Sequence, residues 1–281
     1  MDRLVKSLSF ILMPLFILSG VGFSLWRHET PESAVISSDR GDNILRLVDS
    51  PPSLPGGLMH ILLVPDDPVL WALLITVWIS ALVCTMRLCN LWRGFVRISG
   101  GSAPDGAGQS DFLMFRRPGP RMESGWAAFG LPLALAAGAI WPWVTQKTPL
   151  LGFLLACAIF AGLMTSALTR PGGRNRRLES ISAIGVLAGW TTLAVSVALA
   201  ALLVDLAGLS QTHAALIALL FCAICATRVQ LRMGCPLAYS VTIIWALTGI
   251  ALATMNSNLQ VAIAAAIAIL AVVGALVRVA S

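Results

Sequence analysis

The sequence predicts an all-α, polytopic transmembrane helix bundle of about eight spans. The chain is 57% hydrophobic and only 11% charged, whereas soluble domains carry about 25% charged residues. It contains eight apolar stretches near the roughly 20 residues that a helix needs to cross a bilayer with its backbone groups satisfied. The interiors of these stretches carry no ionised side chain. Because intramembrane charges mark ion and proton pathways, the pattern argues against a pump or an ion-driven transporter.

The predicted spans are 7–26, 68–86, 125–146, 148–169, 181–204, 211–231, 233–255 and 259–277. The first follows a basic N-terminus, as in a cleaved signal peptide. Its apolar run exceeds the 7–15 residues of a typical signal core, and Trp26-Arg27-His28 is not a small-residue cleavage site. We therefore expect a retained helix.

The middle spans differ in how strongly they are predicted. The short connection Gln146-Lys147-Thr148-Pro149 makes spans three and four an antiparallel hairpin. Span six is the least strongly predicted, because Arg228 shortens its apolar run. The charged end of this side chain must reach the membrane interface. A helical hairpin buried in protein is the alternative for spans six and seven.

Basic residues alternate across the eight spans as the positive-inside rule requires. With a cytoplasmic N-terminus, the outside segments hold four basic residues: Arg27, Arg40, Arg46 and Lys147. The inside segments hold the other 15: Arg3, Lys6, Arg87, Arg93, Arg97, Arg116, Arg117, Arg121, Arg170, Arg174, Arg176, Arg177, Arg228, Arg232 and Arg278. The sequence thus predicts a multi-pass bacterial inner-membrane protein with both termini in the cytoplasm. The net charge of +6 follows this topology, so no nucleic-acid partner is expected.

The two long loops have different compositions. The outer loop, 27–67, is acidic and rich in Pro and Gly, which predicts irregular structure with a short amphipathic segment at 43–48. The inner loop, 90–124, has the Gly- and Ser-rich composition of a flexible linker, and no phosphate-loop lysine follows its glycines. Its basic segment 115–121 is more simply a topology signal than a lipid-docking site.

Residues that could carry chemistry are few and form neither a catalytic set nor an evident metal site. Cys222 and Cys225 have redox spacing, but their apolar helix predicts small packing residues. None of the six cysteines lies in the outer loop, so no disulfide framework is indicated. His213 could ligate a tetrapyrrole metal. An interfacial hydrogen bond is the preferred interpretation, because Ser210-Gln211-Thr212 marks a helix start.

Small residues and tryptophans suggest how the helices pack. Gly185 and Gly189 in span five, and the alanines of 262–268 in span eight, would let helices approach closely, within the chain or against a partner. Three tryptophans lie deep in their spans and need partners for their indole N–H groups: Trp78, Trp190 and Trp245. The other six are expected near the interface: Trp26, Trp71, Trp92, Trp126, Trp141 and Trp143.

Three motifs in the second half of the chain resemble the longer bacterial members of the tryptophan-rich sensory protein, or translocator protein (TspO/MBR), superfamily. They are Leu133–Gln146 with Trp141-Pro142-Trp143, then Leu187-Ala188-Gly189-Trp190-Thr191-Thr192, then Ala238–Ile250 with Tyr239, Trp245 and Gly249. The resemblance implies a five-helix core followed by a three-helix extension. The first helix would be 1–26, the outer loop 27–67, spans two to five 68–204, and the extension 205–281.

The resemblance further implies a ligand pocket within the core and a sensory or regulatory role without agreed enzymatic chemistry. The residues expected to line or support the pocket are Trp78, Trp141, Gln146, Trp190, Tyr239 and Trp245. At three positions where the family places asparagine or an aromatic residue, this chain has Gly138, Leu187 and Ala198. Its expected pocket is therefore less polar than that of its relatives.

These observations leave three functions open. The first is a non-enzymatic sensory protein that binds an apolar or tetrapyrrole-like ligand such as a porphyrin. The second is a structural or assembly subunit of a larger photosynthetic or respiratory complex. The third, a transporter of an uncharged or lipid-like solute, ranks last because no internal repeat is evident. The expected partners are membrane lipids and either further copies of the chain or a larger membrane complex.

Overall fold

A computed structural model describes residues 2–29, 57–88, 125–169, 174–233 and 237–280 as α-helices joined by short turns. In chain order they are α1 (Asp2–Glu29), α2 (Gly57–Leu63), α3 (Pro68–Leu88), α4 (Gly125–Thr145), α5 (Pro149–Thr169), α6 (Arg174–Ala207), α7 (Gln211–Met233), α8 (Leu237–Thr254) and α9 (Leu259–Ala280). The predicted segment 43–48, the inner loop 90–124, and Cys89 and Cys235 lie outside the described residues.

Within these ranges, six helices are long and apolar enough to cross a membrane, and two shorter apolar helices cover Phe129–Thr145 and Pro149–Thr165. All eight coincide with the predicted spans, so the predicted fold class is confirmed. The chain is a multi-pass helical membrane protein. Spans six and seven form separate helices of spanning length, α7 and α8, and α7 continues past the exposed Arg228.

The long helix α6 is the centre of the bundle. It packs against α2, α3, α5, α7 and α8, and its side chains from Ala183 to Ala198 are nearly all buried. A helix that is apolar on every side is stable only when protein or lipid surrounds it. Buried hydroxyl groups of this helix are satisfied locally: Thr192 donates to the Ala188 carbonyl at 2.9 Å and Ser196 to the Thr192 carbonyl at 2.8 Å.

The two small-residue features pack inside the chain. A Cβ on Gly189 would lie 2.9 Å from the backbone oxygen of Tyr239, and one on Gly185 would lie 3.2 Å from the Tyr239 nitrogen. The glycines therefore let α6 and α8 approach backbone to backbone. The face of α9 that includes Val261, Ala265 and Ala268 is buried in its contacts with α7 and α8.

The remaining helices surround this centre. Helices α4 and α5 form the predicted antiparallel hairpin, closed where the Lys147 and Thr148 N–H groups donate to the Val144 carbonyl at 3.0 and 2.9 Å. Helix α1 packs mainly on α4. The ends of the bundle that carry Gly57, Pro149 and Asp205 lie together, and we call this the outer end after the predicted orientation.

Helix α2 differs from the irregular structure predicted for the outer loop. Its Leu58, Leu62 and Leu63 are at most 5% exposed and pack in the core. The Ser24 hydroxyl of α1 donates to the Leu63 carbonyl at 2.8 Å, so this carbonyl at the end of α2 has a hydrogen-bond partner. The segment is helical because one side of it is buried against α6, a contact that local composition does not reveal.

Candidate functional site

An aromatic cluster joins α1, α4 and α6 within the five-helix core, the part of the chain in which the family resemblance implies a ligand pocket. The rings of Trp141 and Trp190 meet edge to face, with centroids 5.7 Å apart, and Phe16 lies 6.4 Å from Trp190. Trp141 has no exposed surface and Trp190 is 5% exposed. Because a side chain without accessible surface has no water-sized void beside it, no room for a ligand adjoins Trp141.

The positions that depart from the family pattern are filled by apolar packing. A Cβ on Gly138 would lie only 2.8 Å from Cε2 of Phe16, so the phenyl ring occupies the space that an asparagine side chain would need. Leu187 and Ala198 are also buried in the core. Hydrocarbon thus replaces the polar groups that usually give a pocket its specificity.

Three indole N–H groups inside the bundle differ in whether they have a hydrogen-bond partner. Trp141 donates from Nε1 to the Gly152 carbonyl, and Trp245 to the Val69 carbonyl, both at 3.0 Å. The Nε1 of Trp190 is buried and has no hydrogen-bond partner among the described residues. Leaving such a group unpaired costs about 1–3 kcal/mol.

Tyr239 supports the contact between α6 and α8. Its side chain has no exposed surface, and its hydroxyl lies 3.1 Å from Oγ1 of Thr192. This hydrogen bond satisfies both groups where α6 passes α8. Tyr239 therefore holds two helices together and does not face an open space.

The remaining predicted site residues lie in other contacts. Trp78 of α3 is half-buried against α1, where a Cβ on Gly20 would lie 2.9 Å from its Nε1. Gln146 is exposed in the turn between α4 and α5. The structure thus brings Trp141 and Trp190 together and places Trp78, Gln146, Tyr239 and Trp245 elsewhere. A ligand-binding role for these six residues remains a prediction.

Trp141 differs from its expected interfacial position. It is a core residue, whereas Trp143, two residues later, is 42% exposed and donates from Nε1 to Oγ of Ser19 at 2.9 Å. Trp141 turns inward because the α4–α5 hairpin brings the Gly152 carbonyl within reach of its indole.

His213 makes the helix-start hydrogen bonds that its position in the sequence predicted. Its backbone N–H donates to Oγ of Ser210 at 3.3 Å, and its Nδ1 lies 2.6 Å from the same oxygen. Ser210 therefore caps the start of α7. Cys222 is buried and Cys225 half-buried, as packing residues should be. In the described ranges, no three His, Cys, Asp or Glu side chains are grouped to hold a metal ion.

A cavity of about 270 Å³ lies at the outer end of the bundle, between α2, α5, α6 and α7. It was not predicted from the sequence. We call it the outer cavity and define it by its described lining residues: Gly57, Leu58, Met59, Pro149, Ala200, Ala201, Val204, Asp205, Gln211 and Ala214. The spacing of Leu58 and Leu62, four apart after a glycine, is the signal in the sequence that could have indicated a docked helix there.

Two backbone features shape the outer cavity. Gly57 begins α2 with φ of 69°, a left-handed conformation that favours glycine, and a Cβ on it would lie 3.7 Å from Oε1 of Gln211. Gly208 follows the last residue of α6 and has φ of 62°. In the same turn, the Leu209 N–H donates to the Leu203 carbonyl at 3.4 Å. These turns bring the start of α2 and the start of α7 together beside the end of α6.

The lining combines apolar walls with a polar rim. Ala200 and Ala214 are buried, whereas Asp205 and Gln211 are exposed, so the rim reaches the surface. Asp205 lies in the last turn of α6, where the helix dipole adds partial negative charge. Such a site can take a hydrocarbon body and orient one polar or cationic group.

The chain also matches a known family. The model of the TSPO-like protein family matches residues 116–278, which include helices α4 to α8 and all but the last two residues of α9. Comparisons with curated proteins and with solved structures found no match. The matched range is more than half of the chain and contains all three tryptophan motifs described above. On this match and its helical membrane fold, the chain belongs to the TSPO-like protein family.

Proposed function

We propose that this TSPO-like protein is a non-enzymatic inner-membrane protein that binds a small, mainly apolar ligand in the outer cavity and has a regulatory or sensory role. The observation that supports this proposal most is the coexistence of a packed aromatic core with an outer cavity of about 270 Å³. Protein pockets are typically concave and mainly apolar with a few placed polar groups, and Asp205 and Gln211 provide such groups.

The cavity volume limits the size of the ligand. An engineered apolar cavity of about 150 Å³ binds benzene, so about 270 Å³ would take roughly ten non-hydrogen atoms by the same scaling. A porphyrin is several times larger than this. We therefore propose a small amphiphile in preference to a tetrapyrrole.

The test is a screen of small aromatic fragments by saturation-transfer NMR against the protein in lipid nanodiscs. Ala201→Phe places a ring in the cavity lining, and the matched control Ala266→Phe adds the same ring on the exposed face of α9. We expect a fragment that binds the wild type and Ala266→Phe but not Ala201→Phe. Equal signals from all three proteins would mean that the fragments partition into lipid, and the proposal would fail.

A porphyrin titration examines the expected site in the aromatic core. Because Trp141 and Trp190 pack against each other and Phe16, we expect no saturable tryptophan quenching that depends on Trp190. Saturable quenching by protoporphyrin that is lost in Trp190→Leu would replace the small-ligand proposal with a tetrapyrrole site.

An assembly subunit of a larger membrane complex is the second candidate. The packed core favours it, because a rigid bundle is what a scaffold requires. The small-residue contacts that first suggested a partner are used between α6 and α8 and around α9 within the chain. Purification in mild detergent separates the candidates: a stoichiometric complex supports assembly, and a lone chain at every detergent concentration excludes it.

A further inference from the structure

We propose that the outer cavity selects an organic cation: a small molecule with an apolar body and an ammonium group that pairs with the carboxylate of Asp205. The inference rests on the proposed small-ligand function and assigns its ligand class. Asp205 is the only ionisable side chain among the described lining residues. A positive group is therefore the one that gains most from the rim.

The position of Asp205 strengthens its preference for a cation. It is the third residue from the end of α6, and the last carbonyl groups of a helix carry a partial negative charge that favours cations within one turn. The opposing positive end of α7 is already capped, because Ser210 accepts the His213 N–H at 3.3 Å. Gln211 offers its amide oxygen as a second hydrogen-bond acceptor at the same rim.

The charged side chains around the outer cavity also favour a cation. The described side chains at the outer end include three carboxylates, Asp66, Asp67 and Asp205, and one ammonium group, Lys147. Lys147 precedes the lining residue Pro149 by two positions but does not line the cavity. A surface with this balance raises the local concentration of cations and lowers that of anions.

The apolar lining of the outer cavity selects the hydrocarbon body of the ligand. Leu58, Met59 and Val204 present hydrocarbon and a thioether, and Ala200, Ala201 and Ala214 are too short to fill the space between them. Apolar surface of this kind stabilises a ligand by removing its hydrocarbon from water. An inorganic cation would leave these walls unused, whereas an ammonium group attached to a ring or short chain uses both parts of the site.

The experiment compares two probes in nanodiscs of zwitterionic lipid at low ionic strength. Benzyltrimethylammonium is the cationic probe, and N,N-dimethylbenzamide is a neutral probe of similar size. Saturation-transfer NMR titrations give their dissociation constants for the wild type and three variants. Asp205→Asn removes the rim charge, Asp66→Asn removes one charge at the same end away from the cavity, and Ala201→Phe fills the cavity.

We expect the wild type and Asp66→Asn to bind the cation with similar dissociation constants. Asp205→Asn should weaken binding of the cation roughly two- to fivefold, as for an ion pair at an exposed rim, and leave binding of the neutral probe unchanged. Ala201→Phe should abolish both. Because Asp205 and Asp66 are exposed, their variants should fold normally. They test cation selection even if Ala201→Phe does not fold.

The remaining outcomes separate the inference from the proposed function. If the neutral probe binds but Asp205→Asn leaves the cation unchanged, or Asp66→Asn weakens it equally, cation selection is wrong and the small-ligand site remains. If neither probe binds the wild type saturably, or both bind a folded Ala201→Phe as before, the small-ligand site is wrong as well.

Discussion

Replacing Gly189 with alanine tests the closest helix contact in the bundle. A Cβ there would lie 2.9 Å from the backbone oxygen of Tyr239 and 3.0 Å from Cβ of Thr242, whereas ordinary contacts begin at 3.4 Å. Helix α8 would have to retreat by the difference, 3.4 minus 2.9 or 0.5 Å. The obstacle is backbone, so no side-chain rotation can relieve it.

The magnitude follows from two opposing effects. Overpacking a close contact costs about 1–3 kcal/mol, whereas alanine is better than glycine in a helix by about 0.8–1 kcal/mol. We therefore expect Gly189→Ala to lower the free energy of unfolding by up to about 2 kcal/mol from these two terms. Gly274→Ala is the matched control, because a Cβ on Gly274 meets nothing within 4 Å. It should be neutral or stabilising by up to about 1 kcal/mol.

The assay is reversible unfolding in mixed micelles with increasing SDS, followed by circular dichroism. Adding Thr242→Ala to Gly189→Ala removes Cγ2 at 3.3 Å but not the Tyr239 oxygen at 2.9 Å, so it should recover less than half of the loss. If Gly189→Ala unfolds at the same SDS fraction as Gly274→Ala, the close α6–α8 contact described above is wrong.

Further predictions concern the aromatic core. Trp141→Phe loses the hydrogen bond to Gly152, whereas Trp190→Phe removes an N–H that has no partner among the described residues. Trp141→Phe should be the more destabilising by about 1–2 kcal/mol in the same unfolding assay, and the reverse order would contradict the assigned hydrogen bonds. Gly138→Asn should destabilise by about 1–3 kcal/mol, because its side chain meets Phe16. Adding Phe16→Ala should give a favourable coupling energy in a double-mutant cycle; strictly additive effects would mean that the two residues are not in contact.

The helices themselves were predictable, because the bilayer fixes how long an apolar segment must be. Each predicted span coincides with a helix of the structure. The cap at Ser210 was also predictable, since it depends on neighbours within one turn. These features require no knowledge of distant contacts.

The candidate site was less predictable, because distant segments build it. Trp141 looks interfacial by its place in the span and is buried because Gly152 folds back beside it. The outer cavity is lined by residues far apart in the sequence, from Gly57 to Ala214. Local sequence patterns do not predict that such distant segments come into contact. Gly138 stands where the family places asparagine, and only the contact with Phe16 explains the difference, because the phenyl ring occupies the space that an asparagine side chain would need.

Photoaffinity mapping distinguishes a ligand site in the outer cavity from one in the aromatic core. A benzylammonium that carries a diazirine would be photolysed with the protein in nanodiscs, with and without excess benzyltrimethylammonium, and the labelled residues identified by mass spectrometry. We expect competed labels at Leu58, Met59 and the α6 segment from Ala200 to Asp205. Competed labels on Trp141, Trp190 or Phe16 would contradict this expectation.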